Sequence, residues 1–382
     1  MNFTISGVDF NNKGGELMLY AVKQQLQQWD KSNTLTGYLT MGTYEQRKQA
    51  GIHHLAYTRS SKVPFAGQMI SLSSHLIPKV IRQKYDLILE SEVDAVLDAS
   101  GFAFSDQWGA EDTEKMAKLC QRWKRQGKKI ILLPQAFGPF TSDRIKNAFI
   151  QLIETVDLIF ARDSISYDYI SKLGSPIPHV KQAPDFTNLV KGIEPDSIKN
   201  LIGKPCIIPN YRMIDKTSQD VSNNYLSFLK ATIDDLFNRG LEPFILVHET
   251  KDVKLCKQLQ AEVSHSVPVV EENNPLYLKG IIGKCFLVVG SRFHGLVSAL
   301  SQGVPCLGAG WSHKYQMLFE SYSCSHLSAN IEDNFEENLA KLNSIIDEPT
   351  RAKTIEAIAQ AAEREEALSR AMWTEVKNTV AG

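Results

Sequence analysis

The chain has 382 residues, 43% of them hydrophobic, and a formal net charge of −1 at pH 7. That length predicts two or three domains with enough apolar residues to fill real cores. The balanced charge argues against a general nucleic-acid binder, which would carry a basic excess. Any anion binding must therefore come from local groups of basic side chains.

Four absences from the sequence narrow the class of protein. No CxxC pair and no Asp/His cluster with metal-ligand spacing occurs, so we expect neither disulfides nor a bound metal. The N-terminus lacks the pattern of a signal peptide, and no apolar run approaches ~18 residues. We therefore expect a soluble, cytoplasmic protein whose cysteines behave as small hydrophobes; they are Cys120, Cys206, Cys256, Cys285, Cys306 and Cys324.

In the first half of the chain, strand-like apolar runs alternate with helical periodicity. Apolar residues at helical spacing follow the first run and separate several of the later ones, as in a doubly wound parallel sheet. The interval from 42 to 93 is irregular and supports no assignment. The predicted strands are 3–8, 35–40, 95–97, 129–133 and 157–161.

A second alternating half follows a segment at 188–204 that has the composition of a linker. Helices are predicted at 225–239 and 253–263, and from residue 349 an alanine-rich helix could pack back on the first half. The fold class is thus α/β, with two Rossmann-like, doubly wound domains facing across a cleft. The predicted bounds are 1–190, 204–348 and 349–382, and the second half contains strands at 206–209, 243–247, 267–270, 286–289 and 304–307.

The most informative stretch is the strand–helix–strand pattern at 286–309. Its strand ends at Gly290-Ser291, and Arg292 and His294 lie where the helix begins. A helix N-terminus attracts anions, and an arginine and an imidazole there suggest an anionic substrate and proton transfer. An ordinary strand–helix–strand unit with two polar residues in its first turn is the alternative.

Other candidates follow predicted strands, because ligands of such sheets bind beyond the strands' carboxyl ends. Asn11, Gly14 and Gly15 lie after the first strand, where either ligand contact or a tight Asx-capped turn fits the sequence. The pattern there matches neither dinucleotide-binding nor Walker-type glycine loops. Arg162 follows the fifth strand and is predicted to bind a carboxylate or phosphate, with a surface Arg–Asp pair as the alternative.

Three candidates come from the second half of the chain. Arg212 and His248 follow its first two strands, and Lys314 follows the strand that contains Cys306. Arg162, Arg292 and Lys314 predict a concentrated positive cleft in a nearly neutral protein, to which Arg212 could add.

At these positions the chain resembles the polysaccharide pyruvyl transferase family. The resemblance extends from residue 7 to about 320. Gly15 departs from the family, whose members commonly carry aspartate at this point of the turn. The matching elements are Asn-x-Gly-Gly-Glu at 12–16, Ala-Arg-Asp-x-x-Ser at 161–166, Ser-Arg-Phe-His-Gly at 291–295, Gly-Val-Pro at 303–305, and Lys314.

The resemblance implies a fold like the GT-B glycosyltransferases, with phosphoenolpyruvate as donor substrate and no separate cofactor. The acceptor would be a sugar of a surface polysaccharide or of its lipid-linked precursor, and the product a pyruvate ketal. We expect His294 to act as general acid, or to shuttle the hydroxyl proton. Arg162, Arg292 and Lys314 would hold the donor's carboxylate and phosphate. Further substrate contacts are assigned to Asn11, Gly14, Gly15, Arg212, His248, Ser291 and Gly295.

The donor would lie on the second half and the acceptor on the first. A peripheral membrane contact toward a lipid-linked acceptor is left open. Two other functions also fit the sequence: a nucleotide-sugar glycosyltransferase of the same architecture, and a non-catalytic sugar-phosphate binding protein.

Overall fold

The computed structural model of the chain describes residues 1–57, 66–174, 177–332 and 335–382. It divides into two compact units. Unit 1 comprises Met1–Phe186 together with Arg370–Gly382, and unit 2 comprises Thr187–Ser369. Both units are α/β with parallel sheets, which confirms the predicted fold class.

The described residues of unit 1 form an eight-stranded parallel sheet in the order β4-β3-β2-β1-β5-β6-β7-β8. Strand order reverses between β1 and β5, which pair from Phe3 with Ala95 to Ser6 with Asp98. The central strands are buried on both faces, as expected for a parallel sheet covered by helices. The strands are β1 Asn2–Ser6, β2 Thr34–Tyr38, β3 His53–Leu55, β4 Leu87–Ile88, β5 Ala95–Asp98, β6 Lys129–Gln135, β7 Leu158–Ala161 and β8 Val180–Gln182.

The helices of unit 1 form because apolar residues recur at helical spacing and bury one face. In α1, for example, Leu19, Val22 and Leu26 are buried, and the side chain of Asn12 caps the first turn. The described parts of the irregular interval from 42 to 93 contain short elements only, which explains why periodicity assigned none of them. The helices are α1 Lys13–Trp29, α2 Tyr44–Ala50, α3 Ala66–Ser74, α4 Lys79–Lys84, α5 Glu111–Arg125, α6 Asp143–Thr155 and α7 Ser164–Ser171.

The described residues of unit 2 form a five-stranded parallel sheet in the order β11-β10-β9-β12-β13. Strand order reverses between β9 and β12, which are hydrogen-bonded neighbours. The predicted strands are all present, displaced by up to two residues at their ends. They are β9 Cys206–Ile208, β10 Phe244–Val247, β11 Val269–Glu271, β12 Val288–Gly290 and β13 Cys306–Gly308.

The helices of unit 2 cover this sheet, and the last of them continues into unit 1. Ile358 and Ala361 of that helix belong to the core of unit 2, whereas Trp373 packs edge-on against Trp29 and Phe186 in unit 1. In the described ranges, no helix combines the length and apolarity that crossing a membrane needs. The helices are α8 Arg212–Asp215, α9 Gln219–Asn238, α10 Val253–Glu262, α11 Pro275–Ile282, α12 Phe293–Leu300, α13 His313–Ser321, α14 Phe335–Asn343 and α15 Thr350–Ala381.

Candidate functional site

The loops after β9 and β12 meet at the point where the strand order of unit 2 reverses. Sheets of this type bind ligands beyond the carboxyl ends of the strands at such a reversal. Asn210, after β9, donates from Nδ2 to the carbonyl oxygen of Ser291, after β12, at 2.5 Å. The two loops are therefore fixed to each other at the expected place.

Ser291 is the centre of a buried hydrogen-bond network. The hydroxyl of Tyr225 donates to Ser291 Oγ and accepts from the backbone N–H of Asn210, both at 3.0 Å. Tyr315 donates to the Ser291 carbonyl oxygen at 3.0 Å. Burial raises the pKa of Tyr225, so its hydroxyl stays protonated and can donate. Ser291 thus holds the start of α12 in place, and its contact with substrate stays a prediction.

Arg292, the N-cap residue of α12, is held by two carboxylates. Its Nε and Nη2 donate to the two oxygens of Asp252 at 2.7 and 2.5 Å, and its Nη1 pairs with Glu249. Asp252 is fully buried and also accepts from the backbone N–H of Tyr211 at 2.9 Å. Burial acts to lower the pKa of Arg292, but attraction to Asp252 and Glu249 raises it overall, so the guanidinium keeps its charge.

The group formed by Arg292, Asp252 and Glu249 is not a simple cation. With all three side chains ionised, its net charge is negative. Burial raises the pKa of Glu249 against the opposing attraction of Arg292, which favours the neutral acid. Donor binding by Arg292 therefore stays a prediction, and it must take account of the two carboxylates.

His294 and Lys314 approach the same ring from two helices. The Phe293 ring lies 5.5 Å from the His294 ring and 5.3 Å from Lys314 Nζ, measured to its centroid. Lys314, in the first turn of α13, also lies 4.7 Å from the Trp311 ring and 5.5 Å from the Tyr315 ring. Aromatic faces attract an ammonium group and exclude water from around it. Phe293 thus lies beside both the imidazole and the lysine that the sequence singled out, and their joint contact with a substrate stays a prediction.

Gly295 lies close to Ile208 and His248. A Cβ atom there would lie 3.2 Å from Ile208 Cδ1, which would have to shift slightly, and 3.4 Å from His248 Cδ2, an ordinary van der Waals contact. His248 is buried at the end of β10. The glycine of the Ser-Arg-Phe-His-Gly segment therefore has a packing role, and ligand contact by either residue stays a prediction.

Arg212 lies at the edge of the same loop set. Its backbone N–H donates to Asn210 Oδ1 at 2.9 Å, and its guanidinium pairs with Asp215 at 2.6 Å. Both side chains are partly exposed, that of Arg212 by 29% and that of Asp215 by 31%. Direct contacts thus connect several of the predicted unit 2 residues. Arg212 and Ser291 both hydrogen-bond to Asn210, and Phe293 lies beside His294 and Lys314.

In unit 1, Arg162 follows β7 and forms a buried ion pair. Its Nη1 lies 3.0 Å from Asp185 Oδ2, and both side chains are 5% exposed. Its neighbours in the Ala-Arg-Asp-x-x-Ser segment build the start of α7: Asp163 accepts from the Ser166 backbone at 2.7 Å, and Ser166 Oγ accepts from Phe137 at 3.0 Å. The pair is buried rather than on the surface, and anion binding by Arg162 stays a prediction.

The turn after β1 is built by two side chains. Asp9 accepts from the backbone N–H groups of Asn11 and Asn12 at 2.9 and 3.1 Å, and Asn12 caps α1 through Gly14 and Gly15. A Cβ atom at Gly15 would meet nothing closer than 3.7 Å, so glycine there is not sterically required. Asn11 is exposed, and ligand contact by Asn11, Gly14 or Gly15 stays a prediction.

Sequence reasoning missed Asp252 and Asp185, the buried partners of the two arginines. In addition, the side chains that the structure describes include no group of three or more His, Cys, Asp or Glu residues that could hold a metal ion.

Two parallel-sheet α/β units define a GT-B-like protein, and solved structures with this architecture are similar over the full chain. Anabaena HepE in complex with UDP has a TM-score of 0.61 and 11% identity, covering 100% of this chain and 99% of HepE. The UDP-GlcNAc 2-epimerase from Neisseria meningitidis bound to UDP-GlcNAc has a TM-score of 0.56 and 11% identity, covering 100% and 99%. Spinosyn forosaminyltransferase SpnP has a TM-score of 0.54 and 13% identity, covering 100% of both chains.

The family follows from the sequence match. Residues 12–313 match the model of the family described as polysaccharide pyruvyl transferase, and the chain belongs to that family. It is also similar to the amylovoran biosynthesis protein AmsJ of Erwinia amylovora, with 20% identity over 327 residues. That match covers 80% of this chain and 77% of AmsJ.

Proposed function

We propose that the protein transfers the pyruvyl group of phosphoenolpyruvate to a sugar of a surface polysaccharide or of its lipid-linked precursor. The product is a cyclic pyruvate ketal, and the reaction takes place in the cytoplasm. Family membership supports the reaction class. The observation that carries the donor assignment is the clustering, at the starts of α12 and α13, of Arg292, His294 and Lys314.

Electrostatics at these helix starts favours a small anion. A cation at a helix N-terminus adds to the positive end of the helix dipole, which is unfavourable until an anion neutralises it. Arg292 is the N-cap residue of α12, and Lys314 lies in the first turn of α13; no side chain caps either helix. Asp252 and Glu249 already balance Arg292, so a trianion such as phosphoenolpyruvate would contact Lys314 and the helix N-termini and take the place of Glu249 at Arg292.

The atoms of the reaction balance without an oxidant or a metal-bound group. The methylene carbon of the donor gains a proton and becomes the methyl group. Two sugar hydroxyl oxygens bond to the central carbon, whose bond to the phosphate oxygen breaks. The two sugar hydroxyls release two protons. One replaces the proton delivered to the methylene carbon, and the other protonates the departing phosphate. His294 is the group that delivers or shuttles the proton, a role worth ~10²–10⁴-fold in rate.

Glu249 gives the donor site a dependence on pH. A donor carboxylate that binds Arg292 at Nη1 takes the position of Glu249, and this exchange is easier when Glu249 is a neutral acid. Because burial raises the pKa of Glu249, donor binding should tighten as pH falls toward that raised value. Asp252 keeps Arg292 in place during the exchange through its paired hydrogen bonds.

The acceptor is assigned to unit 1, with Arg162 and Asn11 as the residues to test. One other function has an observation in its favour. Full-length similarity to HepE in complex with UDP favours a nucleotide-sugar glycosyltransferase that uses the same helix starts for a diphosphate.

Calorimetry with phosphoenolpyruvate and with UDP-glucose distinguishes the two donors. We expect phosphoenolpyruvate to bind and UDP-glucose to show no comparable affinity; the reverse would replace the pyruvyl donor by a sugar nucleotide. Lys314→Met should weaken phosphoenolpyruvate binding about tenfold, the loss expected for one charged contact. The exposed Lys353 offers a matched control, since Lys353→Met should leave binding unchanged.

Phosphate release is the second measurement. Release that requires both phosphoenolpyruvate and an acceptor glycan supports the transfer reaction. Donor binding without release, for a panel of polysaccharide fragments, would favour a non-catalytic binding protein instead.

A further inference from the structure

Large apolar side chains are unusually exposed on α3, α4 and the residues that join and follow them. The four most exposed large hydrophobic residues in the described part of the chain all lie here, with exposed fractions from 66% for Met69 to 85% for Leu76. Single exposed hydrophobic residues are normal, whereas a group of this kind marks an interaction surface. We name this surface the α3–α4 face; it consists of Met69, Leu72, Leu76, Val80, Ile81 and Tyr85.

Positive charges accompany these apolar side chains. Residues 66–85 contain three Lys or Arg residues and no Asp or Glu, and the exposed Asp86 follows directly. Lys79 and Lys84 are exposed among the apolar side chains of the α3–α4 face. Arg82, between them, pairs with Glu92 at 2.7 Å. Apolar side chains interleaved with lysines are the pattern of protein segments that lie in a membrane interface.

We propose that the α3–α4 face docks on a lipid bilayer that contains anionic lipids. The apolar side chains would enter the boundary between headgroups and acyl chains, and the lysines would contact lipid phosphates. Two short helices suit this shallow contact, which needs no spanning segment. The inference goes beyond the proposed function, because docking requires neither donor nor acceptor and is measured without them.

Charge argues against a second copy of the chain as the occupant. In a twofold-symmetric dimer the same patch contacts itself, so Lys79 and Lys84 of the two copies would meet, and the exposed Asp86 at the end of the face would offset only part of their charge. Like charges in contact oppose association. An anionic bilayer complements the lysines and covers the apolar side chains together.

Co-sedimentation of the whole protein with vesicles tests the proposal. We expect binding to phosphatidylcholine vesicles that contain about one third phosphatidylglycerol, and at least ~10-fold weaker binding to pure phosphatidylcholine. The double variant Leu72→Glu/Leu76→Glu should lose at least ~10-fold in affinity for the mixed vesicles. Ile202→Glu/Leu368→Glu is the matched control on unit 2, where these residues are 46% and 53% exposed, and it should bind like the unchanged protein.

The charge contribution has its own variants. Lys79→Ala/Lys84→Ala should weaken binding to mixed vesicles several-fold, and raising the salt from about 0.05 M to about 0.5 M should weaken it further. Lys353→Ala/Lys377→Ala removes two exposed lysines from α15 and should change nothing. Equal binding to both kinds of vesicle, insensitive to salt, would overturn the role of anionic lipid.

A direct probe makes the result independent of folding defects. Tryptophan in place of Leu76 should be quenched by brominated lipid, and tryptophan in place of Leu368 should not. Absence of quenching together with absence of sedimentation would overturn the proposal. A second outcome would also overturn it. Light scattering would show a dimer of the unchanged protein that Leu72→Glu/Leu76→Glu dissociates, and neither the unchanged protein nor the variant would bind vesicles.

Discussion

Arg162 in unit 1 and Arg292 in unit 2 occupy similar topological positions, since each follows the carboxyl end of a buried strand, but their surroundings differ. Arg162 faces Asp185, and the two buried charges balance. Arg292 is shared by Asp252 and Glu249, so its group carries an excess of negative charge unless a proton is bound. An arginine at the end of a strand is therefore not necessarily available to bind an anion. Which ligand it can bind depends on the carboxylates that the surrounding loops place beside it.

The difference separates two kinds of site. In unit 1, the buried ion pair of Arg162 and Asp185 connects the loop after β7 to the loop after β8. In unit 2, a ligand anion can take the place of Glu249 at Arg292. Burial raises the pKa of Glu249, which favours the neutral acid and makes this exchange easier. His294, two residues after Arg292, lies in the first turn of α12, the helix whose start this group holds in place. Proton-coupled anion chemistry is thus assigned to unit 2.

The largest expected effect comes from Asp252, which is fully buried against Arg292. Asp252→Ala leaves the guanidinium without its paired acceptor, and removing one partner of a buried ion pair costs about 3–5 kcal/mol. Hydrogen exchange should show the loss in unit 2 amides. Asp215→Ala is the control, since that pair with Arg212 is partly exposed and should cost under ~1 kcal/mol. Equal losses would contradict the special role of Asp252.

Much of this arrangement was predictable from the sequence, and the rest depended on distant contacts. Alternating apolar runs and helical periodicity predicted the parallel sheets, because buried parallel strands are apolar on both faces. The break at Gly290-Ser291 likewise located the start of α12. The strands β3 and β4 were not predicted, because the apolar runs around His53-His54-Leu55 and Leu87-Ile88 are shorter than those around the similarly short strands of unit 2.

The partners of the arginines could not be predicted in the same way. Asp252 is 40 residues from Arg292 in sequence, and Asp185 is 23 from Arg162. Topology gives a partial signal, since β10 lies beside β9 and its following loop must reach the same edge as α12. Which acid turns inward depends on side-chain packing, which no pattern in one sequence specifies.

A buried carboxyl on α15 makes the stability of unit 2 depend on pH. Burial raises the pKa of Glu365 from 4.5 to about 7, with Arg364 opposing the change. The folded state therefore holds this proton more tightly than the unfolded state. Stability is highest below the unfolded value and falls as pH rises to about 7, by up to about 3 kcal/mol.

Glu365→Gln keeps the shape of the neutral acid at every pH. We expect it to stabilise the protein by up to about 3 kcal/mol near pH 8 and to change little near pH 4.5. Denaturant unfolding at both pH values measures the difference. The exposed Glu363 is the control, and Glu363→Gln should stay within ~0.5 kcal/mol throughout. A destabilised Glu365→Gln variant near pH 8 would show that the carboxylate has a favourable partner.

The proton-transfer role assigned to His294 sharpens the contrast between the two units. His294→Asn should lower turnover at least ~100-fold, about 2.7 kcal/mol in activation free energy, while phosphoenolpyruvate still binds. Phosphate-release kinetics and calorimetry separate the two effects. His265→Asn, at a partly exposed histidine that stacks on Phe237, should leave both unchanged. Unaltered turnover in His294→Asn would remove this imidazole from the mechanism.

The smallest expected effect concerns the turn after β1, where neighbouring asparagines have different roles. Asn12 caps α1, and Asn12→Ala should cost about 1 kcal/mol and speed amide exchange in the first turn of that helix. Asn11 is exposed, so Asn11→Ala should leave stability within ~0.5 kcal/mol of the unchanged protein. If unit 1 binds the acceptor through this turn, Asn11→Ala should instead raise the KM for the acceptor several-fold. If the KM of Asn11→Ala is unchanged, the turn only caps α1 and does not bind the acceptor. The unchanged stability of the same variant shows that its fold is intact.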